Sequence, residues 1–159
     1  MNASIEPLYG LRLHRLRAIG RLAQRQMRAR ARSAKCVQCL FQMGQLTTHV
    51  LDISAGLPAA GIRIDLHELD AAAPKLIVST ATARDGRCPA ALLAGSDFRS
   101  GRYLLTFHVA DYFRGRGVAL SDPPFIQEAT IRIGIASPEQ HYHVPLLITP
   151  WSYSVYRGG

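Results

Sequence analysis

The chain has 159 residues, enough for one ordinary globular domain with its own hydrophobic core. Its formal net charge of +8 comes entirely from residues 1–42, where nine basic side chains face one acid, while the remaining residues hold ten of each sign. The basic composition therefore describes an N-terminal extension and excludes a domain that is basic throughout. No stretch approaches the roughly 18 apolar residues of a membrane-spanning helix.

Residues 1–42 are predicted to be a separate basic extension, either disordered or helical. Its apolar residues recur at roughly helical spacing among the arginines: Leu11, Leu13, Leu16, Ile19 and Leu22. Nucleic acid or an anionic membrane would be contacted only through this segment, which also has the composition of an organelle transit peptide. Because Met43 begins MGQLTTHVLD directly before the first predicted strand, residues 1–42 could also precede the working protein.

The cysteines predict neither a disulfide framework nor a metal site. Cys36 and Cys39 form a single CxxC inside the extension without a second pair, and Cys88 stands apart. An odd number of cysteines favours a reducing compartment, so we expect the cytoplasm.

From Leu46 onward the sequence is typical of an all-β domain. Apolar and polar residues alternate, and turn signals such as Asp85-Gly86 separate short segments that read as strands: LTTHVLDI, GIRIDLHEL, KLIVSTAT, GRYLLTFHV, TIRIGIA, HYHVPLLI and SYSVY. Seven or eight such strands predict an antiparallel β-sandwich over residues 43–159. One short helix is expected at DYF, with Asp111 near its N-cap.

Four polar residues of this domain suit the chemistry of water activation and anion binding. His49 lies in a predicted strand, and His141 and His143 share one face of another, because side chains two apart on a strand do so. Arg87 follows the Asp-Gly turn. Imidazole titrates near neutral pH and guanidinium stays charged, so these groups could activate water and bind an anion if they met. Asp52, three residues after His49, should point to the opposite face of its strand.

The segments LTTHVLD, DGRC, HYHVPLL and the closing YRG resemble those of the transthyretin-related family, in its branch that opens the ring of 5-hydroxyisourate during urate degradation. The resemblance runs from about Met43 to Gly159. It implies a transthyretin-like eight-stranded sandwich, assembled as a homotetramer of two dimers with active sites between the dimers. It also implies a metal-independent hydrolase that needs no organic cofactor and produces 2-oxo-4-hydroxy-4-carboxy-5-ureidoimidazoline.

The resemblance also assigns roles to individual positions. The catalytic set falls on His49, Arg87 and His143, and substrate binding falls on His49, Arg87, Tyr156 and Arg157. The family's closing Tyr-Arg-Gly-Ser becomes Tyr-Arg-Gly-Gly here, because Gly159 replaces the terminal serine. We therefore expect the same reaction class, with an affinity or rate that can differ.

Non-catalytic interpretations stay open for the same residues. A histidine in a strand more often has a structural role, with its hydrogen bonds satisfied, than a catalytic one. His67, His108 and His141 are predicted to have such a structural role. A transthyretin-like carrier that holds a small ligand without chemistry is the alternative function. The histidines, the arginine and the YRG ending together favour the enzyme.

Overall fold

The computed structural model describes residues 44–70 and 72–158, so the predicted extension at residues 1–42 lies outside the described part of the chain. In these residues no helix is long and apolar enough to cross a membrane. The elements follow in chain order: β1 (Gln45–Asp52), β2 (Leu57–Pro58), β3 (Arg63–Glu68), β4 (Lys75–Ala81), β5 (Leu93–Ala94), β6 (Gly101–Phe107), α1 (Val109–Gly115), β7 (Ala129–Ile135), β8 (Tyr142–Ile148) and β9 (Tyr153–Val155).

The strands form two sheets, which confirms the predicted transthyretin-like sandwich. One sheet has the order β2-β1-β8-β9, with β5 paired to the start of β1, and the other has the order β4-β3-β6-β7. The sheets pack through one hydrophobic core in which the largest fully buried side chains are Phe107, Phe113, Leu46, Ile62, Ile64, Leu66, Leu105, Leu146 and Ile148. Burial of this apolar surface is the main favourable term in folding.

One strand pair departs from the predicted antiparallel pattern. β1 and β8 run parallel, with Thr47 opposite His143 and His49 opposite Pro145. Parallel neighbours need a crossover connection, and here the chain passes through the whole second sheet between the two strands. This pairing brings residues almost 100 positions apart onto one surface.

Alternation along β1 decides which side chains face the core. Leu46, Thr48, Val50 and Asp52 are buried, whereas the residues between them are only partly buried. His49 therefore faces away from the core, as the predicted strand implies. The prediction that Asp52 points to the opposite face is confirmed.

The short helix begins earlier than predicted. α1 starts at Val109 with His108 as its N-cap residue, so the predicted start of the helix at Asp111 is two residues too late. Asp111 lies in the first turn, where its charge is still favourable to the helix dipole. The helix starts earlier because Val109, Tyr112 and Phe113 share a face that is buried in the core.

Candidate active site

The outward face of β1 and β8 carries an open cavity of about 520 Å³. Thr47 and His143, which are register partners across the parallel pair, form part of its floor together with His141. The segment after the Asp-Gly turn, residues 87–91, forms a wall. The cavity therefore brings together an arginine and two histidines that lie far apart in the sequence.

A tight turn over residues 83–87 delivers Arg87 to this cavity. The backbone closes by hydrogen bonds from the Gly86 N–H to the Ala83 carbonyl (2.9 Å) and from the Ala83 N–H to the Arg87 carbonyl (2.7 Å). The Asp85 carboxylate accepts from the Arg87 N–H at 3.0 Å. The turn is fastened to β1 because the Val50 N–H donates to the Gly86 carbonyl at 2.8 Å.

Gly86 is the residue that this turn requires. Its φ is +77°, and a Cβ added there would collide with the carbonyl oxygen of Val50. Only glycine adopts positive φ without steric cost, and only glycine fits this close to the strand. The Asp-Gly dipeptide predicted a turn, and the structure adds the reason why it must be glycine.

His49 lies beside Arg87, with which it forms an isolated antiparallel β-bridge. Its Nε2 donates to the carbonyl oxygen of Asp85 at 2.8 Å. A carbonyl can only accept, so the Nε2 atom carries a proton and the neutral ring has its lone pair on Nδ1. His49 thus braces the turn that carries Arg87, and its side chain is not among those that line the cavity.

His143 is biased toward its neutral form. The pKa of His143 is lowered from its ordinary value, mainly because partial burial disfavours the charged imidazolium. The positive charge of Arg87 lowers this pKa further, as do His141 and His49. A neutral imidazole can accept a proton, so His143 has the state that a general base needs at neutral pH.

The chain's C-terminal end reaches His143 through the backbone. The Gly158 N–H donates to the His143 carbonyl at 2.8 Å, and a Cβ added at Gly158 would lie 3.1 Å from the Cδ2 atom of His143. The C-terminal segment is therefore held against β8 as far as Gly158, whereas chain termini usually fray.

Tyr156 and Arg157, predicted to bind substrate, line a different cleft of about 380 Å³ between β7 and the end of the chain. Arg157 donates from Nη2 to the side-chain oxygen of Gln140 at 2.9 Å, and its guanidinium lies 4.3 Å from the centre of the Tyr142 ring. Within one chain, the structure brings His143, Arg87 and His49 together and leaves these two tail residues apart from them.

No sequence signal assigned Thr47 or Cys88 to the site, whereas His141 shares a strand face with His143 and was predicted to be structural. Thr47 and His141 both lie on the cavity floor. Cys88 lies in the cavity wall, where burial raises the pKa of its thiol to about 11, so it stays protonated and unreactive. The β1–β8 pairing that gathers Thr47 with the histidines is long-range and could not be read from local patterns.

The fold is a sandwich of two β-sheets, and a polar cavity lies on the outward face of one of them. These features define a transthyretin-like sandwich protein. Comparison with known proteins agrees. The model described as the HIUase/Transthyretin family matches residues 46–158. The chain belongs to the HIUase/Transthyretin family.

Individual relatives cover the same region. The chain is 53% identical over 116 residues to the 5-hydroxyisourate hydrolase of Pseudomonas aeruginosa. The matched region covers 73% of this chain and 92% of the hydrolase. Among solved structures, the 5-hydroxyisourate hydrolase of Klebsiella pneumoniae is 32% identical with a TM-score of 0.61, covering 74% of this chain and all of that one. A structure of (S)-allantoin synthase is 43% identical with a TM-score of 0.70. The match covers 73% of this chain but only 44% of the synthase chain.

Proposed function

We propose that the chain hydrolyses 5-hydroxyisourate to 2-oxo-4-hydroxy-4-carboxy-5-ureidoimidazoline, a step of urate degradation. Membership of the family and the named hydrolases among its relatives support this reaction. The structural observation that carries the proposal is the meeting of His143 and Arg87 in one cavity, with His49 beside Arg87. Each of the three comes from a different part of the sequence.

His143 is the proposed general base. As the oxygen of a bound water attacks a ring carbonyl carbon, the imidazole takes one proton from that water. The ring C–N bond then breaks, and the proton passes to the departing nitrogen, so that His143 returns to its neutral form. General-base catalysis of this kind typically contributes on the order of 10²–10⁴-fold in rate. The lowered pKa of His143 supports this assignment over a charged role.

Arg87 is the proposed anion-binding group. Its guanidinium would hold carbonyl oxygens of the substrate and stabilise the negative charge that develops on one of them as water adds. Comparable oxyanion donors contribute about 3–4 kcal/mol. His49 would hold the Arg87 turn through Asp85 and have its Nδ1 available as a second acceptor. The step draws only on imidazole, guanidinium and water.

The proposed assembly is a homotetramer, a dimer of dimers, with the cavity at a subunit boundary. Apolar side chains lie on the same outward face as the histidines, where Leu51 and Leu147 remain partly exposed in a single chain. Further aromatic surface is exposed at Trp151 and Tyr156. Such patches on one face mark protein interfaces. Tyr156 and Arg157 would then meet substrate only by reaching a neighbouring subunit's cavity.

The test is the decay of freshly generated 5-hydroxyisourate followed by ultraviolet absorbance. The wild-type chain should accelerate the decay strongly, and His143→Ala and Arg87→Ala should each lose most of that acceleration while keeping the same oligomeric size. Arg132→Ala, an exposed arginine on the other sheet, is the matched control and should keep the wild-type rate. A wild-type chain that binds the substrate without accelerating its decay would instead identify a carrier.

A role for residues 1–42 rests on the sequence alone. We propose that nucleic acid or an anionic membrane, if bound at all, is bound through this segment, in a protein that otherwise works in the cytoplasm. Binding of that kind falls steeply with salt. It should disappear when residues 1–42 are deleted, while hydrolysis is unchanged.

A further inference from the structure

Thr47 places one hydroxyl between two histidines on the cavity floor. Its Oγ1 lies 2.9 Å from Nδ1 of His143 and 3.1 Å from Nε2 of His141. The two imidazole rings are nearly parallel, with an angle of 16° between their planes and centres 6.4 Å apart. The hydroxyl therefore contacts one nitrogen of each ring.

The geometry of the strands explains this arrangement. His141 and His143 share the outward face at the start of β8, and Thr47 is the register partner of His143 on β1. Thr47 is partly buried and its β-branched side chain has few rotamers, so its hydroxyl is held in place. His141 is exposed and closes the row toward solvent.

A hydroxyl has one proton to donate and two lone pairs with which to accept. With two ring nitrogens as partners, Thr47 donates to one of them and accepts from the other. Because Nδ1 of His143 is taken up by Thr47, Nε2 is the nitrogen left to face a substrate. A general base needs a lone pair at that nitrogen, so the proton of the neutral ring must lie on Nδ1.

We propose that Thr47 is a positioning residue that accepts the Nδ1–H of His143, donates its own proton to His141, and so keeps Nε2 of His143 as the base. This inference rests on the proposed function, in which His143 is the base. It also explains a histidine that sequence analysis assigned to structure: His141 supplies the acceptor that orients the threonine hydroxyl. An orienting partner fixes a catalytic imidazole in one tautomer.

The proposal is tested first by the rate of hydrolysis in Thr47→Val, which removes the hydroxyl and keeps the shape. We expect kcat to fall at least about tenfold, because that is the effect on the rate of losing one well-oriented hydrogen bond, with little change in KM. Thr47→Ser restores a hydroxyl and should recover most of kcat. Thr130→Val makes the same chemical change at an exposed strand position of the other sheet, and should match the wild type.

A second measurement reads the tautomer directly and does not depend on activity. In ¹⁵N NMR of the full chain with labelled histidine at about pH 8.5, where imidazole is neutral, Nδ1 of His143 should resonate as protonated and Nε2 as unprotonated. A His143→Gln sample assigns the signals. Loss of this preference in Thr47→Val supports the proposal, even if that variant is inactive for another reason.

The outcomes separate the two proposals. An inactive wild-type chain overturns the proposed hydrolysis, while the NMR signals still test whether Thr47 sets the tautomer. An active wild type whose Thr47→Val variant keeps its kcat, or a His143 that carries its proton on Nε2, overturns the positioning role alone. If Thr47→Val fails to fold, the wild-type spectrum and the Thr47→Ser rate decide.

Discussion

Replacing Gly86 by alanine tests whether the turn that carries Arg87 is rigid because of its backbone. Two costs follow from the structure. The positive φ of +77° disfavours an L-residue by about 1–2 kcal/mol, and the added Cβ collides with the Val50 carbonyl. Relief of that collision breaks the bond from the Val50 N–H to the Gly86 carbonyl, which costs about 0.5–1.5 kcal/mol more. The free energy of unfolding should therefore fall by about 1.5–3.5 kcal/mol.

The same change should reduce activity out of proportion to stability. The turn must move away from β1, and a displacement of about 1 Å at a catalytic group can cost about 10²-fold in rate. We expect kcat/KM for 5-hydroxyisourate to fall by about that factor in folded protein, with His143 unchanged. Thermal unfolding measures the stability change and the ultraviolet decay assay measures the rate.

Gly56→Ala is the matched control, because Gly56 has a similar φ of +68° but open space where the Cβ would stand. It should lose about 1–2 kcal/mol, from backbone strain alone, and keep full activity. The reasoning about the turn is refuted if Gly86→Ala loses no more stability than Gly56→Ala, or if it retains the wild-type rate.

Three further predictions follow from the charges and the exposed face. Arg87→Gln removes a positive charge that lowers the pKa of His143, so this pKa, followed by NMR titration, should rise toward its ordinary value; an unchanged titration would contradict this electrostatic effect. Asp65 is buried, which alone would raise its pKa, but hydrogen bonds from Ser79, Arg63 and His108 hold it at about 2 instead of 3.8. Its stabilising contribution is present above about pH 4 and is lost as pH falls toward about 2, so Asp65→Asn should weaken the acid dependence of unfolding; an identical dependence would show that Asp65 does not matter. Leu147→Glu places a charge on the outward face of the first sheet and should yield smaller, inactive but folded particles in light scattering; an intact tetramer would count against the proposed interface.

Local patterns in the sequence predicted the strands well because alternation reports directly which face of a strand is buried. Ile62, Ile64 and Leu66 alternate with polar residues and are fully buried, the last two on the core face of β3, as expected. Asp85-Gly86 predicted the turn for the correct physical reason, since its second residue needs positive φ. The start of α1 was misplaced because buried contacts of Val109, and not a side-chain cap, decide where that helix begins.

The candidate site was predictable only where a resemblance supplied what spacing could not. Alternation placed His49 on an outward face, but nothing local indicated that β1 pairs in parallel with β8. The contact of Thr47 with His141 and His143 depends on that pairing and was missed. Tyr156 and Arg157 were grouped with the site, yet within one chain they line another cleft, which they share with residues of β7 and β8.

The central claim is that His49, Arg87 and His143 act as one catalytic unit. The most direct measurement is kcat for 5-hydroxyisourate in the three single alanine variants and in the triple variant, with oligomeric size checked for each. Residues that act as a unit lose nearly as much singly as together, so each single variant should approach the rate of the triple variant. The account would be contradicted if the loss of kcat in the triple variant equalled the product of the three single losses, or if the triple variant kept the wild-type rate.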